Sequence, residues 1–229
     1  MKKLDKRLQL VADLVDCDRV LADIGTDHAY LPVALVKQGL IPSAIASDLR
    51  AGPLAHAKEA VEAAGLQEQI QLRLSDGLDK ILPHEAACIV MAGMGGILIT
   101  QLIERAPWLR DPEKSLVLQP MTDAPLLRSF LAKNGFELLT ERATFDKKHC
   151  YTVMKAVYVG TVWEPTPLQV MVGKLNEPLG EAERRFIQKE QASLLKQSKG
   201  LSAAGNETEA VRLTALYNDL SQVLNGGIQ

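Results

Sequence analysis

The residues able to do chemistry gather behind a single glycine. Gly25 is followed by Thr26, Asp27, His28 and Tyr30, and two further carboxylates, Asp48 and Asp76, close later apolar runs. Carboxylates at such points accept hydrogen bonds from ribose hydroxyls or from an amine, and imidazole and phenol rings stack on or bond to a planar base. The spacing narrows the choice of ligand. A dinucleotide fingerprint has three glycines in G-x-G-x-x-G, whereas here Asp27 occupies the second glycine position, where its charge would meet a pyrophosphate head-on. NAD and FAD are disfavoured. A phosphate-free cofactor with a positive centre, S-adenosylmethionine with its sulfonium, suits the loop better. Asp48 lies at the interval from Gly25 over which a carboxylate reaches ribose hydroxyls.

The elements that must hold these residues follow from the hydrophobic pattern. Residues 20–24 form an apolar run suited to a strand buried on both faces of a parallel sheet, and residues 31–38 read as a helix, opened near Pro32 and stopped at Gly39. The loop between them therefore sits at the carboxyl end of a strand, with unpaired N–H groups beside it. An Asp-x-Gly strand end followed by an acidic residue closing the next strand resembles the first motif of class I methyltransferases. Residues 51–64 predict a helix ended by Gly65, and residues 69–74 a half-covered strand near the sheet edge that turns away at Ser75-Asp76-Gly77. Residues 86–92 predict another buried strand, running into a second glycine-rich turn, Gly93-Met94-Gly95-Gly96, and a helix over 97–105. A fifth strand, 115–119, is closed by Pro120, and the helix over 125–133 ends at Asn134-Gly135.

Beyond this point the pattern changes. Residues 136–145 and 151–159 read as two strands separated only by residues 146–150, Lys148 among them, too few for a crossover helix. They predict an antiparallel hairpin. Parallel strand-helix units followed by an antiparallel pair is the order of a methyltransferase sheet, whereas a dinucleotide fold continues with a sixth parallel unit. Four strand ends then converge on one crevice: residues 25–30, Asp48, Asp76-Gly77 and residues 93–96. Thr26, Leu49, Gly93, Met94 and Gly95 complete the expected cofactor lining.

Composition bounds the rest. The chain has 229 residues, 47% of them hydrophobic, and a net charge of −2, so a nucleic-acid partner must be met by a local basic patch. Cys17, Cys88 and Cys150 are far apart, which argues against a disulfide framework and a zinc site; no metal is expected. Asp5, Arg7 and Asp13 interrupt any apolar signal segment, and no apolar run is long enough to span a membrane. A cytoplasmic protein is expected.

The two ends of the chain carry the positive charge. Residues 2–15 predict a helix with Leu4, Leu8, Val11, Leu14 and Val15 on one face and Lys3, Lys6 and Arg7 on the other, either solvated surface or a phosphate contact. Residues 160–180, with Pro165, Pro167 and Pro178, read as a connector. Two helices follow, over 181–199, stopping at Gly200, and from a capping box at residues 206–209. Phe186, Ile187, Leu194 and Leu195 on the first face Leu213, Leu216, Tyr217, Leu220, Val223 and Leu224 on the second. This predicts a coiled-coil-like helical hairpin, made basic by Arg184, Arg185, Lys189, Lys196, Lys199 and Arg212. The expected domains are 1–160 and 161–229.

The crevice also limits the chemistry. Enzymes methylating exocyclic amines usually carry N/D-P-P-Y/F where this chain has residues 92–96, Ala-Gly-Met-Gly-Gly, and Cys88 is embedded in a strand without an activating base. A ring nitrogen with its own lone pair needs neither device, only alignment with the methyl group. DIGTDHAYLP, the strand-end Asp48, SDG at Asp76, AGMGG and LQP, in this order and with a helical extension, closely resemble the bacterial TrmK methyltransferases, which modify N1 of adenine at position 22 of tRNA. The resemblance implies an α/β, Rossmann-like class I methyltransferase sheet, S-adenosylmethionine as cofactor and tRNA as partner. It places Asp23, Gly25, Asp48, Asp76 and Gly77 at the cofactor, and Asp27, His28 and Tyr30 at the target base. A catalytically inactive tRNA-binding protein and a small-molecule methyltransferase are the alternatives.

Overall fold

The structure, a computed structural model, describes residues 3–147, 149–175 and 179–226. Lys2 of the expected first helix, Lys148 of the expected turn and Pro178 of the expected connector lie outside them. The first helix, α1 (Lys6–Leu14), starts later than the apolar stripe suggests because the Asp5 side chain accepts a hydrogen bond from the Leu8 N–H at 2.7 Å and so caps it. Then come β1 (Leu21–Ile24), α2 (Tyr30–Lys37), β2 (Ala44–Asp48), α3 (Ala51–Ala64), β3 (Ile70–Leu74), β4 (Cys88–Gly95), α4 (Gly96–Arg105), β5 (Ser115–Thr122) and α5 (Ala124–Lys133). The sheet is completed by β6 (Phe136–Asp146) and β7 (His149–Tyr158), in the order β3-β2-β1-β4-β5-β7-β6, with β7 antiparallel to both neighbours. The expected hairpin is present.

Alternation along the buried strands feeds two cores. Ile89 and Met91 of β4 pack with Ile99, Leu102 and Ile103 of α4 and Leu127 and Leu131 of α5. Cys88 and Val90 face the other way, toward Leu10, Val11 and Leu14 of α1, Leu31 and Leu35 of α2 and Val61 of α3. With helices on both faces, the strand order reverses direction between β1 and β4, the switch point at which such sheets bind ligands.

Three further boundaries depart from the sequence pattern. The glycines after Ala92 do not form a turn: β4 continues to Gly95, pairing with β5 through register shifts between Ala92 and Gly95, and Gly93 takes φ +79°. Strand β5 correspondingly runs past Pro120 to Thr122. The missing proline N–H is tolerated because Pro120 sits opposite Met94, within this irregular stretch. Gly200 does not stop its helix: α7 spans Glu181–Ala203, and Gly205, at φ +79°, ends the run before α8 (Glu207–Leu224), which Asn206 caps through the Glu209 N–H.

The expected connector contains a short helix, α6 (Pro167–Val172), opened by a capping box between Thr166 and Gln169. Its Leu168, Met171 and Val172 join Ile187 and Leu194 of α7 and Leu220 of α8 in a third core, while Leu195, expected in the seam, is exposed. Arg128 of α5 and Glu141 of β6 pin this strap from beneath. Arg128 donates to both Glu141 oxygens and to the carbonyls of Val170 and Met171, at 2.9 and 2.7 Å. Gly173 permits the contact, since a Cβ there would fall 1.8 Å from Glu141 Oε2. No helix among the described residues is long and apolar enough to cross a membrane.

Candidate functional site

The carboxyl ends of β1, β2, β3 and β4 surround a cavity of about 460 Å³. On the β1 side the chain leaves the strand through Gly25 at φ +74°, and the Gly25 and Thr26 N–H groups both donate to Ser47 O of β2, at 2.8 and 2.9 Å. Asp27 and Ala29 then take φ +53° and +52°. Two left-handed non-glycine residues in one short loop store strain of about 1–2 kcal/mol each. They also decide what Asp27 does. The N-cap of α2 is Ala29, with no side-chain capping bond, so Asp27 caps nothing; its side chain is 64% exposed and its partner is His28, whose Nε2 lies 3.6 Å away. Tyr30 and His28 stack beside it, with centroids 5.0 Å apart.

The remaining carboxylates differ in their surroundings. Asp48, at the end of β2, is buried and accepts from the Arg50 N–H at 2.9 Å through Oδ1, leaving Oδ2 with no protein partner among the described residues. Asp76 is half open and ion-pairs with Arg105 at 3.3 Å, an arginine that also meets Asp79 at 2.7 Å. Asp23 lies deepest, 5% exposed. Burial pushes its carboxyl from the ordinary 3.8 up to about 6, although the hydroxyl of Thr26, donating at 2.6 Å, and the charge of Arg7 pull the other way; the nearby Asp48 charge adds to the rise. A buried carboxylate whose charge the protein offsets only in part is poised for a cationic ligand.

The β4 side is built from backbone and one arginine. Gln119, fully buried, accepts through Oε1 from the Gly93 N–H at 3.0 Å and from Arg7 Nη1 at 2.8 Å, while its amide donates to Pro120 O at 2.9 Å. This draws the Arg7 side chain from α1 into the cavity wall rather than outward with Lys6. Every expected site residue but one lines the cavity: Asp23, Gly25, Thr26, Asp27, His28, Tyr30, Asp48, Leu49, Asp76, Gly77, Gly93 and Met94. Gly95 stands outside it, because β4 continues and pairs Gly95 with Thr122. Sequence reasoning missed Arg7, Arg50 and Leu98, which share the wall. Arg7 had left a signal: it falls three residues after Leu4 and four before Val11, the spacing of the buried stripe.

The thiols lie elsewhere in character. Cys88 is fully buried and burial raises its pKa, and Cys150 is pushed up to about 11 by burial, so neither is an activated nucleophile. Among the described residues no group of His, Cys, Asp and Glu side chains could hold a metal ion. The cavity thus offers carboxylates, one half-buried arginine and stacked rings, a set suited to holding a nucleoside with a cationic tail beside a second planar ring.

Comparison with known proteins agrees with this chemistry. Residues 4–154 match the family model of a methyltransferase domain. Over 154 residues, 67% of this chain and 65% of the relative's length, the sequence is 40% identical to the tRNA (adenine(22)-N(1))-methyltransferase of Bacillus subtilis. The structure superposes on the crystal structure of the B. subtilis m1A22 tRNA methyltransferase TrmK with a TM-score of 0.84 at 30% identity, covering 95% of this chain and 98% of that one. It superposes on Streptococcus pneumoniae Sp1610 in complex with S-adenosyl-L-methionine with a TM-score of 0.80 at 31% identity, covering 95% and 99%.

Proposed function

Because this chain belongs to the TrmK family of methyltransferases, we propose that it transfers a methyl group from S-adenosylmethionine to N1 of an adenine in tRNA, at position 22. The observation that carries the reading is Asp27, a carboxylate held in a strained loop at a cavity mouth where it caps no helix.

The cavity fits the cofactor. A side chain at Gly25 would meet Met94 Cε at 2.4 Å, so the loop's glycine keeps the backbone open to a close ligand. Asp48 Oδ2, without a protein partner among the described residues, would hold ribose hydroxyls; Leu49, Asp76 and Gly77 would flank the adenine ring, Asp23 would face the cationic tail and Arg7 the tail's carboxylate. When bound, S-adenosylmethionine supplies an electrophilic methyl group on a sulfonium.

Asp27, His28 and Tyr30 act on the other substrate. Adenine N1 already carries a lone pair, so no proton must be removed before attack. The Asp27 carboxylate accepts from the adjacent N6 amine, which orients the extruded base and raises electron density at N1. As the methyl group arrives the base becomes a cation, and the same carboxylate then holds it more strongly than before, which lowers the barrier. His28 and Tyr30 fix the ring's plane by stacking or edge contacts. The helical region 161–229, with Lys189, Lys196 and Lys199 exposed, serves the tRNA backbone as a second unit beside residues 1–160.

Mass spectrometry of nucleosides from tRNA incubated with the protein and labelled cofactor tests the reading: labelled 1-methyladenosine is expected, and none from a tRNA carrying guanine at position 22. Binding without turnover would identify an inactive tRNA-binding protein, and turnover without tRNA a small-molecule methyltransferase. Asp27→Asn keeps the size but replaces the charge with a dipole. It should fold, bind cofactor and tRNA nearly as wild type, and lose on the order of a hundredfold in single-turnover methyl transfer; a rate within threefold of wild type would remove Asp27 from the chemistry.

A further inference from the structure

A row of rings runs from the cavity to the outside of the molecule. Tyr30 and His28 lie on the cavity wall with planes 14° from parallel, and His56 continues the row, its ring 4.8 Å from that of His28 at 25°. His56 sits on α3, which turns Ala57 and Val61 to the core, and its own side chain is exposed. Packing of the helix does not require a ring there. Among the described residues His56 makes no hydrogen bond or ion pair, and its ring contact is the stack on His28.

We propose that His56 is a specificity-determining residue for RNA, stacking on a nucleobase that neighbours the methylated adenine; the proposal rests on the reading of the cavity as a tRNA adenine site. The physical need is direct. Drawing an adenine out of a stack costs a few kcal/mol and strips the flanking base of its partner. A flat, exposed ring next to the cavity that receives the adenine restores a stacking surface to that neighbour. Every base has a π-face, so such a contact selects for RNA shape at the site and tolerates changes of sequence. The imidazole therefore acts on substrate binding, not on the methyl transfer.

The test uses the full chain carrying His56→Ala or His56→Phe and measures three quantities: the Kd for tRNA, the single-turnover rate at saturating tRNA, and the cofactor Kd by calorimetry. His56→Ala should weaken tRNA binding about tenfold, within the range found when aromatic rings that stack on bases are truncated, and leave the saturated rate and cofactor affinity within threefold of wild type. His56→Phe, which keeps the flat ring and loses the polar nitrogens, should restore tRNA affinity. Unchanged tRNA affinity in His56→Ala overturns the proposal, as does failure of His56→Phe to restore it. A fall in the saturated rate at unchanged affinity also overturns it, reducing His56 to a prop for His28. Since the decisive quantity is binding, a wild-type protein that holds tRNA without forming 1-methyladenosine would defeat the methyltransferase reading, while the tRNA affinities of the two variants would still decide the role of His56.

Discussion

Two buried carboxylates, Asp23 at the cavity and Glu141 beneath the strap, are exposed 5% and 0% and are treated in opposite ways. Glu141 is saturated: both oxygens accept from Arg128, the Lys174 N–H adds a bond at 3.3 Å, and its own N–H reaches Lys174 O at 3.0 Å. Among the described residues Asp23 has one hydrogen-bond donor, Thr26, and its pKa is pushed up to about 6. Burial is equal in kind, so burial does not mark function. What marks it is burial without neutralisation, which the fold tolerates only where a ligand is to complete the set.

Breaking the saturated pair should give the largest effect. Glu141→Gln keeps the shape but strands the Arg128 guanidinium in the interior, at a cost of about 3–5 kcal/mol of stability. Denaturant unfolding measures it, and a loss under 1 kcal/mol would erase the distinction drawn between the sites. Cofactor affinity, measured where the variant is folded, should stay at the wild-type value.

Asp48 sharpens the comparison from between the extremes, being buried with one oxygen bonded to the Arg50 N–H and the other without a partner among the described residues. Asp48→Ala should cost roughly 1–3 kcal/mol of cofactor binding, the worth of one or two hydrogen bonds, while the melting temperature of the ligand-free protein stays put. Calorimetry showing unaltered affinity would remove Asp48 from the site.

The two regions were also unequally legible. Asp48 and Asp76 could be placed because each ends a short apolar run, and period and strand-end position are local properties of the chain. The hairpin of β6 and β7 was legible for the same reason, since residues 146–150 are too few for a crossover. The pinned strap was not. Arg128 and Glu141 are thirteen residues apart on a helix and a strand, and no local pattern pairs them before the chain returns through Val170 and Met171 to cover them. Arg7 stood at the spacing of the buried stripe, but its partner Gln119, 112 residues away, could not be read locally. The glycines misled twice in the same direction, toward an early stop: β4 runs through Gly93 and Gly95 beside β5, and Gly200 costs its helix about 1 kcal/mol that packing of Ile187 and Leu194 against α8 offsets.

The smallest expected effect on cofactor binding is a pH dependence, and it isolates Asp23. Its carboxyl holds a proton up to about pH 6 in the folded protein but loses it near 3.8 when unfolded. Between those values the folded state binds more protons, so Asp23 lowers the stability of the ligand-free protein as pH rises through the window, with no further change above it. Cofactor binding carries the opposite sign. A cationic tail beside the carboxyl favours its ionised form, so binding releases the proton and affinity rises with pH until Asp23 is ionised without help. With a pKa of about 6, roughly one molecule in ten is ionised at pH 5, which bounds the gain between pH 5 and pH 7 at about tenfold, or 1.4 kcal/mol. Asp23→Asn should bind the cofactor more weakly, flatten this part of the profile, and melt higher than wild type at pH 7.5 by an amount that vanishes near pH 4. The same pH profile in wild type and Asp23→Asn would assign the titration to another group, and would leave Asp23 a buried acid with no part in holding the cation.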